Sequence, residues 1–408
     1  MSSSQPAPSL RWVVCALLFF ATTLNYLDRQ VFSVLAPYLQ GTIGWNELQY
    51  GYIVAAFQTA YGIGLLASGR IMDRLGTQRG YAYAVGFWSV AAMAPALAFS
   101  PFTFGAARFA LGLSESGNFP AAIKTVAEWF PARERAFATG IFNSGSNVGA
   151  VLAPLVVPWI AIHYSWRWAF VITGMMGLVW LLFWWALYRK PDHSVEGDSN
   201  GTHISWTSLL RFRQTWAFAT GKFLTDPVWW FYLFWLPKFL NQKYGLDLSQ
   251  IGAPIIVVYL AADFGSVGGG WLSLFLIRSG WSVNASRKTA MLVCALAVLP
   301  IMLATEASLW TAVALLSLAT AAHQGWSVNL FTLTSDMFPK GAVGSVVGFG
   351  GAVGAVGSAL VSTAVGYVLH VTGSYVGVFI LAGSMYLLAL GIIHALVPRL
   401  EPARQNGY

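Results

Sequence analysis

AEWFPARERAFATG, residues 127–140, returns 208 residues later as SDMFPKGAVGSVVG, residues 335–348. Glu128 aligns with Asp336, Phe130 with Phe338, Pro131 with Pro339 and Gly140 with Gly348. An echo at half the chain length is the trace of a repeated structural unit. Both copies sit in polar breaks between long apolar runs, so the echo and the runs around it together decide the fold.

Those runs dominate the chain. Of 408 residues, 57% are hydrophobic and 9% charged, and the mean hydropathy is +0.61. A water-soluble domain carries far more charge, so the solvent implied is a lipid bilayer. A helix needs about 20 apolar residues to cross a hydrocarbon core. Runs of that kind fall near 12–35, 48–70, 80–99, 102–124, 137–160, 167–188, 214–238, 249–276, 289–305, 309–335, 343–369 and 375–397. The expectation is an all-α membrane protein with twelve transmembrane helices in two pseudo-symmetric six-helix bundles. The first copy of the echo lies between spans four and five, the second between spans ten and eleven. One longer polar break, residues 189–213, separates the sixth span from the seventh. We expect an N-terminal bundle over 1–190, a cytoplasmic linker over 191–212 and a C-terminal bundle over 213–408, working as a monomer. Repeats so arranged bind substrates near the midplane between them.

The net charge of +8 comes from short basic clusters between apolar runs, not from one stripe, which argues against nucleic acid as a partner. With a cytoplasmic N-terminus, 16 Lys and Arg fall on the inner side and only Arg167, Lys238 and Lys243 on the outer. That asymmetry satisfies the positive-inside rule and puts both termini in the cytoplasm. The opening MSSSQPAPSL has no charged n-region and is not expected to be a cleaved signal. Two distant cysteines, Cys15 and Cys294, and six scattered histidines form no ligand or nucleophile pattern, so neither metal, cofactor nor enzymatic activity is expected.

Against this background, charges inside spans stand out. TTLNYLDRQVFS, residues 22–33, carries Asp28 and Arg29; RFALGLSESGNFPA, residues 108–121, carries Arg108 and Glu115; KFLTDPVW, residues 222–229, carries Lys222 and Asp226. A charge at a helix centre costs about 2.5–3.5 kcal/mol, so six facing lipid would cost on the order of 15–20 kcal/mol. They must face an aqueous cavity or each other. At about 1.5 Å per residue from helix ends taken at Ala36 and Phe102, Asp28 lies roughly 12 Å deep, Arg108 roughly 9 Å and Glu115 roughly 20 Å. Asp28 and Arg108 are therefore expected to touch, with Glu115 nearer the cytoplasm. Burial favours the protonated form of these acids, whereas a neighbouring arginine favours the ionised form. An anion that engages the arginine tips that balance and couples its own binding to a proton. A permanent structural salt bridge would look the same in sequence.

Span seven places Lys222 and Asp226 one turn apart, then Pro227 and Trp229; the proline is expected to break the helix. The pair is either an internal bridge at a kink or a substrate site. His323 and Gln324 of span ten and Asp263 of span eight are further isolated polar groups. His323 is expected to contact substrate or Asp263, or else to carry a proton. Tyr26, Tyr61, Asn143, Ser146 and Trp229 suit a hydroxylated ligand through hydrogen bonding and ring stacking.

The loop after span two, GRIMDRLGTQR over residues 69–79, resembles the conserved loop of the major facilitator superfamily, in which it latches one conformation. Gly69, Asp73, Arg74, Gly76 and Arg79 match that pattern. NYLDR, RFALGLSESGNFPA and EWFPARERA are similar to the anion:cation symporter family, and KFLTDPVW, AAHQ and LTSDMF most resemble its hexuronate transporters. The resemblance spans nearly the whole chain. It implies proton-coupled uptake of a sugar acid across a bacterial inner membrane. It maps the proton carriers to Asp28 and Glu115 and the carboxylate-binding cations to Arg29 and Arg108. It also favours Tyr26, Tyr61 and Ser146 as ligand contacts and Lys222 as a cation from the C-terminal half. The rival expectations are a carrier or exchanger of another organic anion, such as an aldonate or small carboxylate, and a sensor that binds without translocating.

Overall fold

The computed structural model describes residues 8–130, 132–189, 206–338, 340–401 and 403. Pro131, Pro339 and most of the expected linker lie outside these. The elements are α1 (Pro8–Ile43), α2 (Glu47–Leu75), α3 (Thr77–Met93), α4 (Pro101–Glu115), α5 (Asn118–Trp129), α6 (Ala132–His163), α7 (Trp166–Leu187), α8 (Trp206–Leu209), α9 (Arg213–Tyr244), α10 (Gly252–Arg278), α11 (Val283–Val298), α12 (Leu309–Met337), α13 (Lys340–Thr372) and α14 (Val376–Leu396). Short 3-10 turns, Ala94–Leu97 and Leu299–Leu303, prolong α3 and α11. No strand occurs among the described residues. α8 is a single turn in the last part of the expected linker. The rest are the twelve spans, the fourth of them in two pieces, α4 and α5.

Among the described residues, eight helices are long and apolar enough to cross a membrane by length and composition alone. α3 and α4 are too short for that test, at 17 and 15 residues, and α9 carries Lys222, Asp226 and Lys238. Helix starts follow local chemistry. Asn46 Oδ1 accepts from the Gln49 amide at 2.8 Å while Gln49 Oε1 accepts from the Asn46 amide at 3.0 Å, a reciprocal cap for α2. Ser100 and Thr103 do the same for α4, with Pro101 at its first position. Gly76, with φ of 73°, turns the chain from α2 into α3, a backbone conformation that side-chained residues rarely adopt.

The chain packs as two compact units, Met1–Ser199 with Asp247–Gly252 and Asn200–Leu246 with Ala253–Tyr408. In the first, α1 packs on α6, α2 on α4 and α3 on α7. The second repeats the scheme, with α9 on α13, α10 on α12 and α11 on α14. The echoed acids play matching parts. Glu128, at the end of α5, accepts from the Thr77 hydroxyl at 2.5 Å and from the Tyr188 hydroxyl at 3.1 Å. Asp336, at the end of α12, accepts from Arg287 Nε at 3.1 Å, and Arg287 also donates to Ser273 Oγ at 2.7 Å. Each acid thus ties its helix end to the opening turns of the third helix of its unit.

Three sequence expectations change. α9 is one continuous helix through Pro227 and Pro237, so the expected break at Pro227 is absent. The proline frees the carbonyl of Phe223, which abuts Gly357 of α13, where a Cβ would stand 2.6 Å from that oxygen. The break occurs instead in span four, at Ser116–Gly117, directly after Glu115. Finally, Lys238 is fully buried in α9 with Nζ 5.5 Å from the Trp235 ring centroid, because α9 continues to Tyr244 and leaves it inside the helix.

Candidate functional site

The N-terminal unit buries four ionisable side chains on α1 and α4. Asp28 and Arg29 are 2% exposed, Arg108 and Glu115 fully buried. Arg29 donates to Glu115 Oε2 from Nε at 3.0 Å and from Nη2 at 2.9 Å, and Nη2 also donates to Asn25 Oδ1 at 3.1 Å. Arg108 Nη2 reaches the backbone carbonyl of Arg29 at 3.4 Å. Both Asp28 oxygens are buried without a hydrogen-bond partner, as is Glu115 Oε1.

The expected contact of Asp28 with Arg108 is therefore absent, and Arg29 pairs with Glu115 instead. Helix length explains the change. α1 runs to Ile43, seven residues past the assumed end, and α4 starts at Pro101. Arg29 and Glu115 then each lie about 21 Å from these helix ends, level with one another, while Arg108 lies about 10 Å in.

Aromatic rings enclose the guanidiniums. Arg29 Cζ sits 4.7 Å from the Tyr26 ring, 4.9 Å from Tyr61 and 5.3 Å from Phe57. Arg108 Cζ sits 4.5 Å from Phe57 and 5.0 Å from Phe32. Such faces attract a cation by about 0.5–2 kcal/mol without neutralising it. Gly112 makes the arrangement possible: a Cβ there would stand 3.2 Å from Phe57 Cα and closer still to its carbonyl, so α2 and α4 approach with backbone against backbone. Behind the break in span four, buried Asn118 accepts from the Tyr81 hydroxyl at 2.6 Å and donates to Thr22 Oγ1 at 3.3 Å. On α6, Ser146 is buried and donates to the Asn143 carbonyl at 2.6 Å, whereas Asn143 is exposed.

In the C-terminal unit Lys222 Nζ stands 2.7 Å from Asp226 Oδ2 and 4.6 Å from the Phe331 ring. Buried His323 binds the Tyr386 hydroxyl through Nδ1 at 2.6 Å and stacks on Trp229, with ring centroids 5.2 Å apart and planes 9° apart. Its partner is thus Tyr386, not the expected Asp263, which stands half-buried on α10. Gln324 is also half-buried. In the latch loop Arg74 and Arg79 are exposed, and the side-chain surroundings of Gly69 and Asp73 lie outside the described residues. Lys124 of α5 donates to the Met72 carbonyl at 3.0 Å, joining α5 to the end of α2.

Asn25 and Phe57 were missed by sequence reasoning. Asn25 carried a signal, since it lies one turn before Arg29 on the same helix face. Phe57 carried none: an apolar residue in an apolar helix differs from its neighbours only once α2 and α4 pack. Among the described residues no cluster of three or more His, Cys, Asp or Glu could hold a metal ion.

Residues 18–362 match the model of the Major Facilitator Superfamily. The chain belongs to the major facilitator superfamily. It is a multi-pass membrane transporter, not an enzyme. This superfamily member is 34% identical over 402 residues to the hexuronate transporter of Escherichia coli strain K12, covering 93% of each chain. It is 36% identical over 298 residues to the galacturonate transporter of Dickeya chrysanthemi, covering 68% of this chain and 86% of that one. Its fold matches the crystal structure of a bacterial homologue of the human lysosomal transporter Spinster, with a TM-score of 0.74 at 18% identity, over 96% of both chains.

Proposed function

We propose that this transporter carries a sugar acid, a hexuronate such as galacturonate or glucuronate, in symport with protons across a bacterial inner membrane by alternating access, with both termini cytoplasmic. In this reading 1–190 and 213–408 are the two bundles. The observation that carries the proposal is the four-charge cluster of α1 and α4. A mobile anion can compete with Glu115 for Arg29, because Glu115 hydrogen-bonds the guanidinium through Oε2 while its Oε1 has no hydrogen-bond partner. Asp28, buried without a hydrogen-bond partner, is the acid whose protonation removes the cost of an isolated charge.

The charge balance joins the two loads. With both acids ionised the four side chains sum to zero; one added proton makes the cluster cationic, and one monoanion restores neutrality. Arg29 and Arg108 bind the substrate carboxylate, Asp28 and Glu115 carry protons, and Tyr26, Tyr61, Asn143 and Ser146 meet hydroxyls and the ring. Trp229, Asp263, His323 and Gln324 do the same from the second unit, with Lys222. Gly69, Asp73, Arg74, Gly76 and Arg79 act as the conformational latch. Similarity to hexuronate and galacturonate transporters supports this substrate class.

Proteoliposomes test the reading. Adding galacturonate outside should acidify the lumen, and Asp28→Asn should abolish uphill accumulation while sparing counterflow. An unchanged luminal pH identifies an anion exchanger instead, and preserved uphill uptake in Asp28→Asn removes Asp28 as a proton carrier.

A further inference from the structure

The second unit treats its cation differently from the first. Arg29 is shared among a carboxylate, an amide and three rings, whereas the Lys222 ammonium is held by Asp226 at 2.7 Å, with the two side chains 10% and 16% exposed. α13 leaves room for this pair. A Cβ at Gly354 would stand 3.1 Å from Asp226 Cγ, and one at Gly350 would stand 3.4 Å from Lys222 Cγ. Trp229 follows Lys222 by seven residues on α9, on the same side of the helix. Its indole lies flat on His323, whose other contact is the Tyr386 hydroxyl. Along α9, then, come an ammonium, the carboxylate that neutralises it and a flat ring.

A free ammonium in a low-dielectric site attracts any carboxylate; one already neutralised offers hydrogen bonds without net charge. A second carboxylate brought beside Asp226 meets a like charge and finds no surplus cation, which is how binding sites reject a near relative of their ligand. Hydroxyls and a sugar ring suffer no such penalty, and an indole face suits a ring.

We propose that Asp226, by occupying Lys222, makes this carrier selective for sugar acids with a single carboxylate and against aldarates, which are oxidised at both ends. The inference rests on the sugar-acid reading above.

The test uses full-length protein in proteoliposomes with radiolabelled galacturonate and galactarate, the same carbon chain with two carboxylates. Wild-type protein should favour galacturonate by about tenfold or more, a difference of about 1.4 kcal/mol. Equal uptake of the two acids overturns the proposal without any variant. Asp226→Asn keeps the side-chain shape and frees Lys222, so the galactarate-to-galacturonate ratio should rise about tenfold. The same ratio read from ligand-dependent tryptophan fluorescence covers a variant that binds without transporting. The double variant Lys222→Gln, Asp226→Asn removes both charges and so frees no ammonium; its galactarate-to-galacturonate ratio should rise clearly less than that of Asp226→Asn, and an equal gain of galactarate by it refutes the charge argument. If neither acid enters or binds to wild-type protein, the sugar-acid reading fails and takes the inference with it. If galacturonate enters and the ratio ignores Asp226, only the inference fails.

Discussion

Substituting Glu115 by Gln should tighten substrate binding while destroying coupled uptake. Glu115 Oε2 accepts two hydrogen bonds from Arg29, at 3.0 and 2.9 Å. Hydrogen bonds to charged groups are worth about 1.5–3 kcal/mol and neutral ones about 0.5–1.5 kcal/mol. An amide oxygen in the same place still accepts from the charged guanidinium but brings no charge of its own, which moves each bond from the top toward the bottom of the charged-group range, about 1 kcal/mol per bond or about 2 kcal/mol for the pair. A substrate carboxylate that must displace Glu115 then competes with a weaker rival, and its Kd should fall about 30-fold. Alanine would be the wrong probe, because it removes the two hydrogen bonds to Arg29 along with the charge, whereas glutamine keeps an acceptor oxygen in place. The assay is titration of purified protein with galacturonate, followed by tryptophan fluorescence, across pH 5–8. The Gln variant should show the lower Kd throughout, with wild-type protein as the reference. Unchanged or weaker binding by a folded Glu115→Gln protein would mean that Arg29 and Glu115 form a static bridge, and the exchange of counterions on Arg29 would be wrong.

Two further outcomes follow from packing. Gly112→Ala should destabilise the N-terminal unit by about 1–3 kcal/mol, because the new Cβ meets the Phe57 backbone; Gly105→Ala on the same helix, where a Cβ meets nothing within 4 Å, should leave the melting temperature unchanged. Tyr386→Phe removes the hydroxyl that His323 Nδ1 binds at 2.6 Å and leaves a buried ring nitrogen unsatisfied, at a cost of about 1–3 kcal/mol. A lowered melting temperature in detergent checks it, and an unchanged one would show that the imidazole finds another partner.

Why some of this was legible beforehand is clear from particular residues. The echo of residues 127–140 in 335–348 marked acids that occupy matching places in the two units, because duplicated helices carry their end contacts with them. Lys222 and Asp226 were legible as a pair because four residues make one helical turn, whatever else the chain does. Lys238 was misread because apolar runs do not tell where a helix stops, and α9 continues past its apolar core to Tyr244.

The sequence by itself determined a bilayer-spanning helical chain of two related halves, and it singled out the charges too costly to face lipid, since periodicity and transfer cost are local properties. Tertiary structure alone decided which charges meet. The level at which Arg29 faces Glu115 depends on the lengths of two different helices, on the break after Glu115 and on the backbone contact at Gly112. Distances between helices are set by packing across the fold, and no spacing along one strand of sequence encodes them.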